Sequence, residues 1–348
     1  MRNDLNRTHI NAIKSGTLVT ADSLPEFLKV QKLDWEVETV QEKHPVTGAP
    51  LPFFATMRKD TGEIFQTGFS ERYQVAQNAE AFQAIVAMGN QASEVNGGLT
   101  FAKAHQFNGG AKVAVTVDMG VMTIGDPKVG DIIAKRVAFS NSHDGTGAVE
   151  IVSAPIRLMC KNGMASISQE ANVSLRHTSK VNQKLQIIRN TYLNLKKVFA
   201  KTEIVYNKLA ARKISKKDFL EMIELLFPAK GEKGEEETST RTNNIKTEIA
   251  KLYANADDGK IEQNTGWNLY NSVTRYNTHF SSTRGNNDME IASNRSKSLL
   301  FGSLALKNQK ALNIITEALS IDAIIEATDE KIKAEGSIDN ILSMVGTN

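Results

Sequence analysis

The sequence contains a single cysteine, Cys160, among 348 residues, so the chain cannot form an internal disulfide. A lone cysteine is typical of a reducing compartment. No stretch approaches the roughly 20 apolar residues that a membrane helix needs. The opening residues, MRNDLNRTHINAIKSG, lack the apolar core of a signal peptide. We therefore expect a cytoplasmic protein with no membrane partner.

The sequence also lacks the motifs of nucleotide and metal chemistry. It has no GxxxxGK[ST] loop and no GxGxxG after a predicted strand, which argues against ATP-driven and dinucleotide-dependent activity. The six histidines form no HxxxH pair, and a CxxC motif needs more than one cysteine. We predict no cofactor, no metal site, no catalytic residue and no enzymatic activity.

Three arrangements keep an enzyme open as an alternative. Asp118, Asp126 and Asp131 stand around predicted turns and would have to converge to hold Mg²⁺ in a nuclease. His143-Asp144 lies in an Asn-Ser-His-Asp-Gly run that favours a hairpin loop over a catalytic pair. Cys160 with His177 would make a thiol nucleophile and its base, but the apolar surroundings of Cys160 favour a buried structural residue.

The charges are distributed unevenly along the chain. The net charge is +3, yet the range 176–217 holds twelve Lys and Arg against one acid, Glu203, a local net of +11. The remaining residues therefore sum to −8. Such a block predicts a basic face that attracts a polyanion such as a nucleic acid, and the alternative is a solvated helix kept soluble by its lysines.

Residues 1–178 read as an α+β sheet domain. Short alternating runs joined by Lys59-Asp60-Thr61-Gly62 and by Asn108-Gly109 predict two hairpins. Between the hairpins, Asn78 has the character of a helix N-cap. The pattern predicts a mainly antiparallel β-sheet with a packed helix, a β-hairpin–helix–β-hairpin core, followed by a helical C-terminal half.

The second half is predicted to be helical. Residues 179–228 read as a long basic helix and a short one, 229–241 as a flexible linker, and 242–348 as a helical C-terminal region. Apolar residues spaced 4-3-4-3 from Val181 to Leu209 fit either a coiled-coil subunit contact or an amphipathic helix packed on its own domain. The run from Thr265 to Phe280 sets aromatics beside Asn and Arg, which suits base stacking or an aromatic core.

Four blocks carry a family resemblance. They are FATMRKDTGEIFQTGFSERYQVAQNAEAF (54–82), FSNSHDGTGAVEIVSAPIRLMCKNGM (139–164), SLRHTSKVNQKL (174–185) and TGWNLYNSVTRYNTHF (265–280). In this order they resemble a phage- and plasmid-borne family known only as domain of unknown function 932. Members of this family occur on phages and plasmids, which commonly carry single-strand annealing proteins for recombination. A relationship to the Rad-type annealing proteins is a fold-level analogy.

The resemblance implies an ATP-independent protein of phage or plasmid DNA recombination that binds and anneals single-stranded DNA in the bacterial host cell. It would act as a homo-oligomer, a ring or a filament, with a nuclease or recombinase as a possible partner. The alternatives are a Mg-dependent nuclease and a non-enzymatic interaction protein. The nucleic-acid-binding candidates are Arg72, Tyr73, His143, Arg157, Arg176, Lys180, Lys184, Arg189, Lys196, Lys197, Arg275 and Tyr276. We expect Arg157→Ala and Arg176→Ala to weaken binding without disturbing the fold.

Overall fold

The fold is α+β, with antiparallel sheets followed by a helical C-terminal half, as predicted. A computed structural model describes residues 18–20, 22–90, 99–126, 130–145, 149–158, 163–164, 173–175, 181–228, 240–255 and 263–321. The predicted linker at 229–241 lies outside these residues except for its last two positions, which begin a helix.

The larger sheet is seven-stranded and antiparallel. Its strands are β1 (Leu18–Val19), β5 (Leu99–Phe107), β6 (Lys112–Ile124), β7 (Asp131–Ser142), β8 (Val149–Ser153), β9 (Ile156–Arg157) and β10 (Val173–Leu175). The spatial order is β1-β5-β6-β7-β8-β10, and β9 pairs with β7. The predicted Asn108-Gly109 turn joins β5 to β6, and both residues adopt positive φ angles, +51° and +67°, as a tight hairpin requires.

The smaller sheet contains β2 (Val37–Lys43), β3 (Pro50–Arg58) and β4 (Ile64–Phe69), in that order. The sequence suggested one sheet, whereas the two hairpins belong to separate sheets. The Gln77 side chain explains part of the separation. Its amide donates to the Val37 carbonyl (2.8 Å) and accepts from the Val37 N–H (3.0 Å), so a side chain occupies backbone groups that another strand would pair.

Eight α-helices lie within the part of the chain that the structure describes. They are α1 (Leu24–Val30), α2 (Asn78–Asn90), α3 (Val181–Ala211), α4 (Lys216–Leu226), α5 (Thr240–Ala254), α6 (Gly266–Arg275), α7 (Asp288–Phe301) and α8 (Ser303–Ala318). A π-helical turn, Tyr276–Phe280, extends α6. Among the described residues, no helix has both the length and the apolar character required to span a bilayer.

The larger sheet is covered by helices on both faces. Val115, Val117 and Phe139 point into the main core, which they share with Phe82 of α2 and Phe199 of α3. Because side chains alternate along a strand, the intervening residues face the other way. There Ala138, Val152 and Ala154 contact Ala305, with Leu300 and Phe301 packed against them. The sheet is thus the middle layer, and α3 lies on one side of it.

Candidate nucleic-acid interface

The outer side of α3 and the start of α4 form a strongly basic surface. The described range 195–217 contains seven exposed lysines and arginines and no exposed acid. Its single acid, Glu203, is partly buried. We call these seven residues the basic surface: Lys196, Lys197, Lys208, Arg212, Lys213, Lys216 and Lys217. Lys196 and Lys197 were predicted from the sequence. The other five were missed as individual site residues, although the charge count over 176–217 had included them.

The opposite side of α3 explains why these cations are exposed. Leu195, Phe199, Tyr206 and Leu209 are each at most 2% exposed and belong to the main core. Tyr206 packs against Trp267 and Tyr270 of α6, with ring centroids 4.7 and 5.6 Å away. Over its described half, the apolar seam is therefore filled within the chain, which favours the amphipathic-helix interpretation over a coiled-coil subunit contact.

The turn between α3 and α4 is fixed by local hydrogen bonds. Ser215 caps α4: its hydroxyl accepts from the Asp218 N–H (3.2 Å), and the Asp218 carboxylate accepts from the Ser215 N–H (2.8 Å). Hydrogen bonding from Ser215 to the Asp218 carboxylate lowers the pKa of Asp218. The Ile214 N–H donates to the Asn264 carbonyl (2.8 Å), which ties the turn to the start of α6. The cations on either side of Ser215 are thus held on an ordered turn.

Arg157 occupies a buried position. Its side chain is 1% exposed and forms an ion pair with Asp131, which is 2% exposed. The Trp267 indole also donates to the Asp131 carboxylate (3.2 Å). Arg157 on β9 and Asp131 on β7 therefore join the sheet to α6, and the guanidinium presents no charge at the surface to a phosphate. This burial also changes what we expect of Arg157→Ala, which now threatens the fold.

His143 is likewise buried, with 0% exposure. The Asn78 side chain oxygen lies 3.0 Å from its Nε2, and its ring packs against Trp35 and Phe65 with centroids 5.3 and 5.9 Å apart. The end of β7 thus packs against Phe65 of the smaller sheet. The prediction that Asn78 caps α2 was wrong: Asn78 is the first residue of the helix, and its amide donates to the Leu33 carbonyl (3.1 Å).

Arg72 and Tyr73 lie in the loop between β4 and α2. Arg72 is exposed, whereas Tyr73 is partly buried and stacks on Phe69, with centroids 4.1 Å apart. Burial, together with the charge of Asp144, raises the pKa of the Tyr73 phenol. Arg72 is available to an anion, while the stacked face of Tyr73 is already occupied.

A second surface of Arg and aromatic residues lies at the C-terminal end of α6. Arg275 and Tyr276 are partly buried there, and Phe280 is 47% exposed. Arg241 of α5 reaches the same area, since its guanidinium donates to the Ser282 hydroxyl (3.1 Å). Burial raises the pKa of the Tyr276 phenol, and Arg241 partly opposes this. We call Arg241, Arg275, Tyr276 and Phe280 the arginine–aromatic surface.

Several predicted residues receive no placement. Arg176 and Lys180 lie outside the described residues, as do Cys160 and His177. Lys184 and Arg189 fall on the described backbone of α3, in its first half, without a described side chain. They remain predictions from the sequence.

The carboxylates considered for a nuclease do not converge. The Asp118 carboxylate accepts from Nε and Nη2 of Arg136, each at 2.8 Å, and the Asp131 carboxylate pairs with Arg157. Asp126 and Asp131 line a cleft of about 370 Å³ beside α3 and α6. Asp118 lies on β6 opposite Arg136, which is five residues along β7 from Asp131. Among the residues with described positions, no group of three or more His, Cys, Asp or Glu could hold a metal ion.

The comparisons with known proteins give one match. The family model described as Domain of unknown function (DUF932) matches residues 67–300, more than half of the chain. No curated protein matches, and no solved structure matches. These results give no support to a relationship with Rad-type annealing proteins. The matched region includes α3, α4 and α6, and therefore both the basic surface and the arginine–aromatic surface.

Proposed function

The chain belongs to the Domain of unknown function (DUF932) family, and we propose that it binds single-stranded DNA on the basic surface without a nucleotide cofactor. One observation carries the proposal: seven exposed cations lie between Lys196 and Lys217, and the only acid in that range is partly buried. Phosphate groups attract such a surface whatever the base sequence.

The spacing of the cations suits an extended backbone. Lys197, Lys208 and the partly buried Lys201 between them fall at positions i, i+11 and i+4. These positions lie within about 40° on one side of a helix with 3.6 residues per turn. At about 1.5 Å per residue they span about 16 Å along the axis. Arg212 follows directly after the helix. A nucleic-acid strand lying along α3 would meet one cation after another.

The arginine–aromatic surface offers the stacking contacts that single strands require. Phe280 is 47% exposed, with Arg275 and Tyr276 on the same turn of the chain. At the other end of α6, the Gly266 N–H donates to the Arg212 carbonyl (3.0 Å), so α6 connects the two surfaces. Fifteen helical residues correspond to about 20 Å, a distance that a few nucleotides would cross. Unpaired bases stack on exposed aromatics, while bases within a duplex do not.

Annealing of complementary strands, assembly into a ring or filament, and cooperation with a nuclease or recombinase remain predictions from the family resemblance. The nuclease alternative gains nothing from the geometry, because the carboxylates of Asp118 and Asp131 are engaged by arginines.

The test is a fluorescence anisotropy titration with a labelled oligothymidylate and with the matching duplex, repeated at rising salt. If about four phosphates are neutralised, log Kobs should fall against log[salt] with a slope of about −3 for the single strand. A flat salt response, or no binding at low salt, would contradict the proposal.

A pair of matched variants assigns the binding to the surface. Lys197→Glu, Lys208→Glu and Arg212→Glu together change the net charge by −6 on the basic surface. Lys29→Glu, Lys43→Glu and Lys307→Glu make the same change at exposed positions elsewhere. We expect the first triple variant to lose at least about 100-fold in affinity and the second no more than about 10-fold, since long-range charge is screened. Equal losses would show that only the net charge matters.

A further inference from the structure

The last described residues of the chain emerge beside the basic surface. Ala318 and Leu319, at the end of α8, line a cleft of about 160 Å³ together with Arg212 and Lys213. Met222 and Leu225 of α4 line the same cleft, and Leu225 is 57% exposed. Asp218 and Glu221 also line it. The described fold therefore ends beside a cleft whose lining combines apolar side chains with two cations and two acids.

This exit point is held by packing. Leu319 approaches Gly266 so closely that a Cβ built on Gly266 would lie 2.7 Å from the Leu319 Cδ1, which explains the glycine. The Gly266 N–H in turn donates to the Arg212 carbonyl (3.0 Å). Ile321 is 2% exposed, and its N–H donates to the Thr316 carbonyl (2.8 Å). Ile321, the last described residue, thus follows two positions after Leu319, which packs on Gly266.

The sequence that follows has the opposite charge. Residues 322–348 contain six acids, Asp322, Glu326, Asp329, Glu330, Glu335 and Asp339, against Lys331 and Lys333, a net charge of −4. These 27 residues could extend to about 90 Å, several times the axial distance of about 16 Å between Lys197 and Lys208 on α3. They also place Ile324 and Ile325 directly after the exit, ahead of most of the acids.

We propose that residues 322–348 dock on the basic surface of their own chain and compete there with nucleic acid. Ile324 and Ile325 would enter the cleft beside Leu225, and the acids beyond them would meet the cations of α3 and α4. Tethering gives the segment an effective concentration on the order of millimolar, so individually weak ion pairs suffice. The docking stands on the geometry of the exit, while the competition rests on the proposed DNA binding.

Two other occupants fit the geometry less well. The range 229–239 also carries four glutamates, but it follows the C-terminal end of α4, whereas the cations of that helix lie at its start. An eleven-residue helix separates the two ends by about 16 Å. A second copy of the chain would supply the same acidic segment without the tethering advantage. Both occupants are distinguishable by experiment.

The docking is tested without DNA by carbodiimide cross-linking of the dilute full-length chain, with peptides identified by mass spectrometry. The reagent joins a carboxylate to a lysine only where the two are in contact. We expect links from Glu326, Asp329 or Glu330 to Lys213, Lys216 or Lys217. Mixing isotopically light and heavy chains separates links within one chain from links between copies.

The competition is tested with two full-length variants of equal charge change. Asp322→Asn, Glu326→Gln, Asp329→Asn and Glu330→Gln remove four acids from the segment. Glu232→Gln, Glu235→Gln, Glu236→Gln and Glu237→Gln remove four from the range 229–239. At low salt we expect the first variant to bind the labelled oligothymidylate about tenfold more tightly than the natural chain, and the second less than about threefold.

The outcomes separate this inference from the proposed function. Links within one chain, with no DNA binding by any of the proteins, would uphold the docking and overturn the proposed function. DNA binding that is the same in all three proteins, without such links, would overturn the docking alone. Links only between copies would identify a second chain as the occupant, and links only from the range 229–239 would identify that range. Either result would overturn the docking in its present form.

Discussion

The sheet and the long helix carry the same kinds of cation in opposite surroundings. In the sheet, Arg157 pairs with Asp131 and Arg136 pairs with Asp118 through two bonds of 2.8 Å. Lys112 pairs with Glu150 and also lies over the Phe301 ring, 4.4 Å from its centroid. Along the outer side of α3 and α4, exposed lysines and arginines outnumber the acids that could balance them.

This difference separates cations that hold the fold together from cations that are available to a ligand. A buried cation that lacks a partner is costly, so the sheet supplies a carboxylate for each. An exposed cation stays solvated even where it has a partner, as Lys217 has in Glu221 at 3.7 Å. The repulsion among neighbouring cations is relieved when a polyanion binds. Substitutions in the two regions should therefore affect different measurements.

The largest effect is expected in the buried pair. Arg157→Ala would leave the Asp131 carboxylate uncompensated and should lower the free energy of unfolding by about 3–5 kcal/mol. Chemical denaturation followed by circular dichroism measures this. The double variant Arg157→Met with Asp131→Leu removes both charges and should recover most of the loss. If Arg157→Ala left stability unchanged while DNA affinity fell, the assignment of Arg157 to the fold would be wrong.

An intermediate effect is expected from pH. Burial, with smaller contributions from Lys103 and Arg136, lowers the pKa of His105 on β5 to about 4, from an unfolded value near 6.5. As the pH falls from about 6.5 to 4, His105 becomes protonated in the unfolded chain while it stays largely neutral in the folded chain. The free energy of unfolding should therefore fall by on the order of 2 kcal/mol across that window.

The control for this effect is His105→Gln, which cannot titrate. Its unfolding free energy should change less between pH 6.5 and 4 than that of the natural chain, with both measured by urea denaturation at fixed ionic strength. Identical pH profiles for the two proteins would show that His105 does not contribute.

The smallest effect on stability is expected on the basic surface. The triple variant Lys197→Glu, Lys208→Glu and Arg212→Glu, which should lose DNA binding, should change the free energy of unfolding by only about 0.5 kcal/mol per site. The expected sign is neutral to slightly stabilising, because repulsion among the cations is reduced. Thermal unfolding checks this, and a loss as large as that of Arg157→Ala would erase the contrast between helix and sheet.

Local patterns were sufficient for much of the fold. The Asn108-Gly109 turn, the Ser215–Asp218 capping box and the amphipathic pattern of α3 each depend on residues close together in the chain. Their physical causes, a positive φ, a reciprocal cap and a helical period, can be read from a few residues. The block of positive charge was visible for the same reason, since its twelve cations lie within one stretch of the sequence, 176–217.

The fates of individual charges could not be read in this way. Arg157 and Lys197 were both predicted to bind nucleic acid, yet Arg157 is 1% exposed and Lys197 lies on the surface. Asp131, the partner of Arg157, is 26 residues away, and Trp267, the second donor to Asp131, is 136 residues away. His143 is buried because Trp35, Phe65 and Asn78 pack around it, and all three are more than 60 residues away in the sequence.

By itself, the sequence determined the order of strands and helices, the hairpin turns and the net charge of each stretch, because these depend on short-range periodicity and composition. The tertiary structure alone decided that the hairpins enter two different sheets, that the apolar seam of α3 is filled by its own core, and that α8 ends beside Arg212. Each of these depends on contacts between residues far apart in the chain, and burial of that kind is what divides the cations into structural and available ones.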